Sequence, residues 1–358
     1  MKIVSGKVYP ITMPFVDKDW KFALAAMSQS DGFLLKLETD EGITGWGYTA
    51  AAGHIGETRG SVHWALEQMF LPFLINKDPL TIESIMAGLN RLLLNNPRAK
   101  TCVDLALHDL IGKHLGLPAY SILGGKVRDT VDVIRIVPLK EPEEQAMVCK
   151  KLVGEGYRYL KVKLSGEKEK DVARVKEARE AVGKGVVLTV DANQSYDPWT
   201  AIQAIRAMEK YDIYLVEQPV RYDDIVGLSQ VTHHVDVLVD ADESAKTLGD
   251  IVNLIRAQAV SSISLKVPKL GGILNTKKAA AICAAAGMSC RIGDAFGGRL
   301  YGSANMHVIA STPNLGAAAE AAEFLQLEDD PAVGMEVVNG TLSVPEKPGL
   351  GLDVKGFA

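Results

Sequence analysis

VDVIRIV (131–137), LKVKL (160–164), VVLTV (186–190), YLVEQ (214–218), DVLVD (236–240), SISLKV (262–267), MSCRIG (288–293) and AAAEAAE (317–323) are eight short apolar runs, most of them rich in β-branched residues. The stretches between them have helical spacing, as at Val172, Val175 and Ala178, or at Ala201, Ile205 and Met208. Strands alternating with helices predict a parallel sheet, and eight is the number that closes a (β/α) barrel of TIM type. An open doubly wound sheet is the competing arrangement. It needs a Gly-rich phosphate turn after its first strand, and none follows VDVIRIV.

Upstream, IVSGKVYPI, FLLKLETD and ITGWGYTA read as strands, the last two joined by a turn at Asp40, Glu41 and Gly42. From 61 to 115 the period becomes helical, with Ala99, Cys102, Val103, Ala106, Leu107, Leu110, Ile111 and Leu115 on one stripe. Strands followed by helices describe an α+β domain. The Gly-rich segment Leu123-Gly124-Gly125 marks its end. The last segment carries NGTLSVPEKPGLGLDV, which does not resemble another βα unit and is expected to return to the N-terminal domain. The expected division is therefore an α+β domain over 1–128, completed by 325–358, and a barrel over 129–324.

With 39 Lys+Arg against 44 Asp+Glu in 358 residues and no basic run, the net charge of −5 leaves no footprint for nucleic acid or an anionic membrane. No apolar stretch approaches the ~20 residues of a membrane span, and the N-terminus lacks the apolar region of a signal peptide. A cytoplasmic enzyme acting on a small molecule, and assembling as a homo-oligomer, is expected. Cys102, Cys149, Cys283 and Cys290 make no CxxC or metal-finger spacing and read as reduced, packed thiols.

Barrel active sites lie at the C-terminal ends of the strands. There the sequence places Lys161 and Lys163, then Asp191 and Asn193, Glu217, Asp242 and Glu243, and Lys266. From Lys163 onward one ionisable residue recurs every 24 to 28 residues, once per βα unit. Singly, each reads equally as a solvated strand end or a helix N-cap. Two lysine positions flanking three acids in strand order are not predicted by chance capping. Residues i and i+2 of a strand share a face, so Lys161 and Lys163 point together into the mouth. Strands 2 and 6 are opposite in a ring of eight, which sets Lys266 across from that pair. The acids on strands 3, 4 and 5 are expected to converge between them.

Three hard oxygen ligands with open positions suit Mg2+, and without a cation three neighbouring carboxylates repel. A lysine must be neutral to accept a proton, and a second ammonium and a metal both lower its pKa. A metal on the substrate carboxylate and a lysine on each face are arranged to remove the α-proton and stabilise the enediolate.

These residues resemble the enolase superfamily, specifically the mandelate racemase/muconate lactonizing enzyme family. The likeness runs through VDLALHDLIGKHLGLPAYSILGGKVRD (103–129), LKVKL, VDANQS, VEQP, DADES, LKVPKLGG (265–272) and PGLGLD (348–353). It implies one Mg2+ per site held by Asp191, Glu217 and Asp242, with Lys163 and Lys266 as the acid/base pair and Lys161 tuning Lys163. Asn193 and Glu243 would support the ligands, and the N-terminal domain would cap the barrel and select the substrate.

CRIGDAFGGRLYGS after strand 7 holds no His, so mandelate-type His/Asp chemistry is not expected, and the KxK pattern with Lys266 resembles the muconate-type subgroup. The DxD pair that dipeptide epimerases use at strand 8 is replaced by Glu320 and Glu323. Asp294 to Gly298 is similar to a loop of hydroxyproline- and proline-betaine-processing members, where Phe296 would face a substrate nitrogen with Asp294 as counter-charge. Ordinary packing and capping explain the same two residues. Phe15, Asp17, Trp20, Phe22 and His54 are candidate pocket residues from the cap. The expected function is a Mg2+-dependent racemase or epimerase of a nitrogen-containing acid, such as a proline derivative or N-substituted amino acid. A dehydratase or cycloisomerase using the same enediolate is the alternative. A Schiff-base lyase through Lys266 and a noncatalytic binding barrel are more distant.

Overall fold

The computed structural model describes residues 1–51 and 56–357. The N-terminal part is a three-stranded antiparallel sheet of β1 (Ile3–Pro14), β4 (Gln29–Thr39) and β5 (Thr44–Ala50), with the small hairpin β2 (Trp20–Phe22) and β3 (Ala25–Met27) inserted between the first two. The turn at Asp40 to Gly42 closes with Gly42 N donating to Thr39 O, and Gly42 takes a φ of 73° that suits glycine.

The helix Pro97–Leu115 starts with proline in its first turn and stops at Gly116 in the left-handed region. The expected apolar stripe is there, except that Leu115 is exposed, but the helix is buried all round from Arg98 to Gly112. One face lies on β5, so close that a Cβ on Gly47 would stand 1.8 Å from Cys102 O. The other face meets the barrel, where Asp104 Oδ1 accepts from Ile273 N at 2.6 Å and Thr101 Oγ1 donates to Val267 O at 3.2 Å. A helix held between two layers needs apolar or paired polar residues on both sides.

The eight runs form β6 (Thr130–Val137), β7 (Tyr159–Lys163), β8 (Val187–Asp191), β9 (Ile213–Glu217), β10 (Leu238–Ala241), β11 (Ser262–Leu265), β12 (Ser289–Ile292) and β13 (Ala318–Ala319). Neighbours pair in parallel in sequence order from β6 to β12, and β13 pairs with β6. Glu320 N donates to Ile292 O at 3.1 Å, which joins β12 to the β13 end and closes the ring. Helices follow the first seven strands. The eighth leads instead into a 3-10 turn, Glu323–Gln326, and the C-terminal segment.

That segment divides its contacts. The hairpin β15 (Val337–Val338) and β16 (Thr341–Ser343) adds antiparallel to the start of β6, while β14 (Ala332–Val333) pairs with β17 (Asp353–Val354). Between them, Gly349 bridges Pro118 and Leu350 N donates to Asp109 Oδ1 of the long cap helix. Among the described residues no helix is long and apolar enough to cross a membrane.

Strand register positions the site. Lys163, Asp191, Glu217 and Asp240 are direct partners across β7, β8, β9 and β10. Residues opposite one another in a parallel sheet face the same side, so these four form one row inside the barrel.

Candidate active site

A cavity of about 500 Å³ opens between the barrel mouth and the cap. Lys161, Lys163, Asn193, Asp242, Glu243, Lys266, Asp294 and Phe296 line it from the barrel, and Phe22, Leu24, Met27, Ser30, Glu57 and Arg98 line it from the N-terminal part. Asp191 and Glu217 lie just behind the lysines, 1% and 0% exposed.

The strand ends bend sharply. Asn193 and Gln218 hold positive φ of 42° and 36°, a conformation that costs free energy and persists where the surroundings enforce it. Gln218 provides that enforcement on strand 4: its Oε1 accepts from Asp242 N and Ser244 N, both at 3.0 Å, and its Nε2 donates to Val220 O and Ser244 Oγ. This fully buried amide ties the β10 loop to the end of β9, a role that the sequence reading missed although VEQP displays it.

Of the three acids Asp242 lines the cavity while Asp191 and Glu217 are buried behind its wall, and they do not converge. Among the described residues no three His, Cys, Asp or Glu side chains stand together as a metal cage. Each acid is drawn to ammonium groups instead. Lys163 Nζ donates to Asp191 Oδ2 at 2.5 Å and Asn193 Oδ1 at 2.9 Å. Lys266 Nζ lies 2.5 Å from Asp242 Oδ2, and Lys269 Nζ lies 2.7 Å from Asp242 Oδ1. Lys161 Nζ reaches Glu217 Oε2 at 2.9 Å and Glu320 Oε1 at 2.7 Å, with Asp191 at 3.7 Å. Lys161 is therefore engaged by the carboxylates of Glu217 and Glu320, partners that its place two residues before Lys163 does not reveal.

The electrostatics follow from burial and these pairs. Burial opposes charge on Glu217, but Lys161 and Arg291 outweigh it and hold the carboxyl well below the usual range. Burial likewise opposes charge on Lys161 and Lys266, yet Glu217 and Glu320 raise the first and Asp242 and Glu217 raise the second. Asp242 is lowered because Lys266 and Lys269 overcome its desolvation. Glu243, which accepts from Asn193 Nδ2 at 3.2 Å, is pushed up to about 7 by burial and by Asp242.

The donor set fits a small hard cation: carboxylate oxygens on three adjacent strands, with Glu217 Oε1 and Glu243 Oε2 buried and without a hydrogen-bond partner. Ammonium groups already supply positive charge at the oxygens where a divalent ion would act.

On the far wall, Asp294 Oδ1 accepts from Ala295 N, while Oδ2 has no partner, and burial together with Glu323 raises its pKa strongly. Glu323 is 1% exposed, neither of its oxygens is partnered, and burial pushes it up to about 7. Phe296 lines the cavity beside them, and Ser30 Oγ donates to its carbonyl. Trp20 and Phe15 do not line the cavity. They pack behind Phe296, with ring centroids at 5.0 and 4.8 Å, because the loop brings its aromatic ring down onto theirs. Phe22 does line it, 5.6 Å from Lys163 Nζ, and Asp17 pairs with Lys140. His54 lies outside the described residues.

Residues 10–124 match the family described as mandelate racemase/muconate lactonizing enzyme, N-terminal domain, and residues 144–358 match the enolase C-terminal domain-like description. The chain is 33% identical over 356 residues to the L-Ala-D/L-Glu epimerase of Bacillus subtilis, covering 98% of this chain and 97% of that protein. The substrate-liganded structure of that epimerase aligns with TM-score 0.94 at 34% identity over 98% and 99% of the two chains. The hydrophobic dipeptide epimerase of Enterococcus faecalis is 35% identical over 92% of this chain and 94% of its own length. The dipeptide epimerase structure from that organism holding Mg and L-Leu-L-Tyr aligns with TM-score 0.94 at 33% identity over 98% and 99%. The N-succinyl-L-Arg/Lys racemase of Bacillus cereus is 29% identical over 96% and 97%, and the structure of the N-succinyl Arg/Lys racemase aligns with TM-score 0.96 at 28% identity over 99% and 96%.

Proposed function

Because the chain belongs to the mandelate racemase/muconate lactonizing enzyme family of the enolase superfamily, we propose that it is a Mg2+-dependent racemase or epimerase of an N-substituted amino acid or proline derivative. One observation carries the reading: Lys163 and Lys266 both line one cavity from the ends of strands four apart in a closed ring of eight, and the three acids stand at the ends of the strands between. A 1,1-proton transfer needs a base on one face of the α-carbon and an acid on the other. Dipeptides and N-succinyl amino acids, which the similar epimerases and racemase act on by name, are both N-substituted amino acids.

Asp191, Glu217 and Asp242 would hold the ion, and Asn193 and Glu243 would steady them. When bound, Mg2+ supplies the positive charge that the enediolate needs. The protein's own groups do the rest. Lys163 and Lys266 exchange a proton with the two faces of the α-carbon, one neutral and one protonated at any time. Asp242 beside Lys266 outweighs its desolvation and raises its pKa, which favours the protonated form that a donor needs. Phe296 and Phe22 exclude water from the face where the carbanion forms.

A β-elimination that begins with the same proton removal has one observation in its favour. Glu323, raised to about 7 in the cavity wall, can hold a proton for a departing hydroxyl. Incubation in D2O separates the readings. Epimerisation labels the α-carbon and returns the other isomer, whereas loss of water from the product mass establishes elimination. Lys163→Ala is expected to abolish exchange with one enantiomer and Lys266→Ala with the other. Retention of both exchanges in both variants would overturn the two-base reading.

A further inference from the structure

Two acids of the row across β7 to β10, Glu217 and Asp240, take part in a closed ring of charge inside the barrel. Arg291, in the middle of β12, donates through Nη2 to Glu217 Oε2 at 2.5 Å and through Nη1 to Glu320 Oε1 at 2.7 Å. Its Nε lies 3.0 Å from Asp240 Oδ2. Lys161 completes the circuit by contacting the same two oxygens of Glu217 and Glu320. The ring ties together β7, β9, β10, β12 and the end of β13, and its members are between 0% and 8% exposed.

A barrel interior is ordinarily filled by layers of branched apolar side chains, and replacing a buried ion network with such residues is often neutral or stabilising. Stability alone therefore does not account for two cations and three carboxylates here. The arrangement on Glu217 is unsymmetrical. Oε2 receives both cations, while Oε1 is buried with no partner. A carboxylate gripped through one oxygen has its rotamer set and presents the other. Asp240 is the direct register partner of Glu217 on the neighbouring strand, so the guanidinium that grips Glu217 is itself anchored within the same row.

We propose that Arg291, anchored by Asp240, is a positioning residue that orients Glu217 so that its free oxygen faces the cation site, and that cation affinity depends on this grip. The proposal rests on the reading of Asp191, Glu217 and Asp242 as the Mg2+ site. It does not require Arg291 to touch substrate.

Calorimetric titration of the full chain with MgCl2 tests it. The double variant Arg291→Met/Asp240→Ala removes one cation with its own anion, leaves the net charge unchanged and is expected to fold. Its Mg2+ affinity is expected to fall by about tenfold or more, the usual size of an effect on a ligand's supporting partner. A folded double variant with wild-type Mg2+ affinity overturns the proposal, because a merely structural arginine would lower the melting temperature without moving the binding constant. Arg291→Lys is the second variant, since it keeps the charge but cannot bridge three carboxylates. Weakened binding there supports the proposal and unchanged binding overturns it. Wild-type protein that takes up no Mg2+ overturns the metal reading itself, whereas binding that the variants leave intact removes only the role given to Arg291.

Discussion

The interior of the cap and the interior of the barrel are built from opposite materials. Between the cap sheet and its helices lie Ile3, Val8, Phe33, Leu35, Leu37, Leu66, Phe70, Leu89, Val103 and Leu107, an apolar cluster held by area removed from water. The barrel lumen buries Lys161, Lys163, Asp191, Glu217, Asp240, Asp242, Arg291 and Glu320. Taking each of those charges out of water costs several kcal/mol before any pairing is counted. Apolar packing tolerates small rearrangements, whereas a charge network survives only while every member keeps its partners. The cap is thus interior devoted to stability, and the lumen is interior that sacrifices stability to hold charged groups at fixed places.

Substitutions that probe each interior should separate these roles. Glu217→Ala leaves Lys161 and Arg291 without their shared acceptor, and we expect a loss of about 3–5 kcal/mol in denaturant unfolding together with loss of Mg2+ binding. Glu217→Gln, nearly isosteric, should recover part of the stability and none of the binding.

In the cap, Leu89→Ala, fully buried, is expected to cost about 2–5 kcal/mol by the same measurement. Turnover per folded molecule should stay at the wild-type value. A large fall in kcat would show that the two interiors are coupled more tightly than their packing suggests.

Glu323 tests the border between them. Its carboxyl titrates near 4.5 in the unfolded chain and is pushed up to about 7 in the folded one, so the protonated form is the one that folding favours. The associated stability is present in full below pH ~4.5 and is lost as pH rises toward ~7, a change of about 3 kcal/mol at most. Glu323→Gln should flatten that slope between pH 5 and 8 and leave the variant more stable than wild type at the upper end. Parallel pH profiles for the two proteins would place the titration elsewhere.

The smallest effect belongs to Trp20→Phe. The indole packs behind Phe296 and its Nε1 has no partner, so a smaller ring keeps the contact and loses no hydrogen bond. We expect a cost of about 1 kcal/mol and a KM within about threefold of wild type. A larger rise in KM would bring Trp20 into contact with substrate after all.

Much of the barrel was legible because its strands are local events. Seven of the eight runs became strands within two residues of their expected ends, the eighth is a strand only over Ala318–Ala319, and the row of Lys163, Asp191 and Glu217 follows from counting strand ends. Asp240 and Arg291 were within reach of the same-face rule, since a charge inside VLVD or SCRI must point somewhere. Their partners, however, lie on other strands, and nothing local to VLVD or SCRI names them. Glu320 stands in the sequence only as a departure from a DxD pair, although it directly follows the eighth strand and meets Lys161. That the three acids stand apart, each paired with a different lysine, was not legible at all. It depends on which lysine each carboxylate reaches, and those partners lie 24 to 56 residues away.

The sequence by itself determined the order of strands and helices, the count that closes the barrel, and the residue types at its mouth. Hydrophobic period and turn chemistry act over a few residues, so they can be read along a line. Only the tertiary structure decided that Lys161 meets Glu217 and Glu320, that Trp20 packs behind Phe296, and that Arg291 reaches Glu217 across 74 residues of chain. Coulomb attraction in a dry lumen depends on separation in space and on which groups water has left, and closure of the ring sets both.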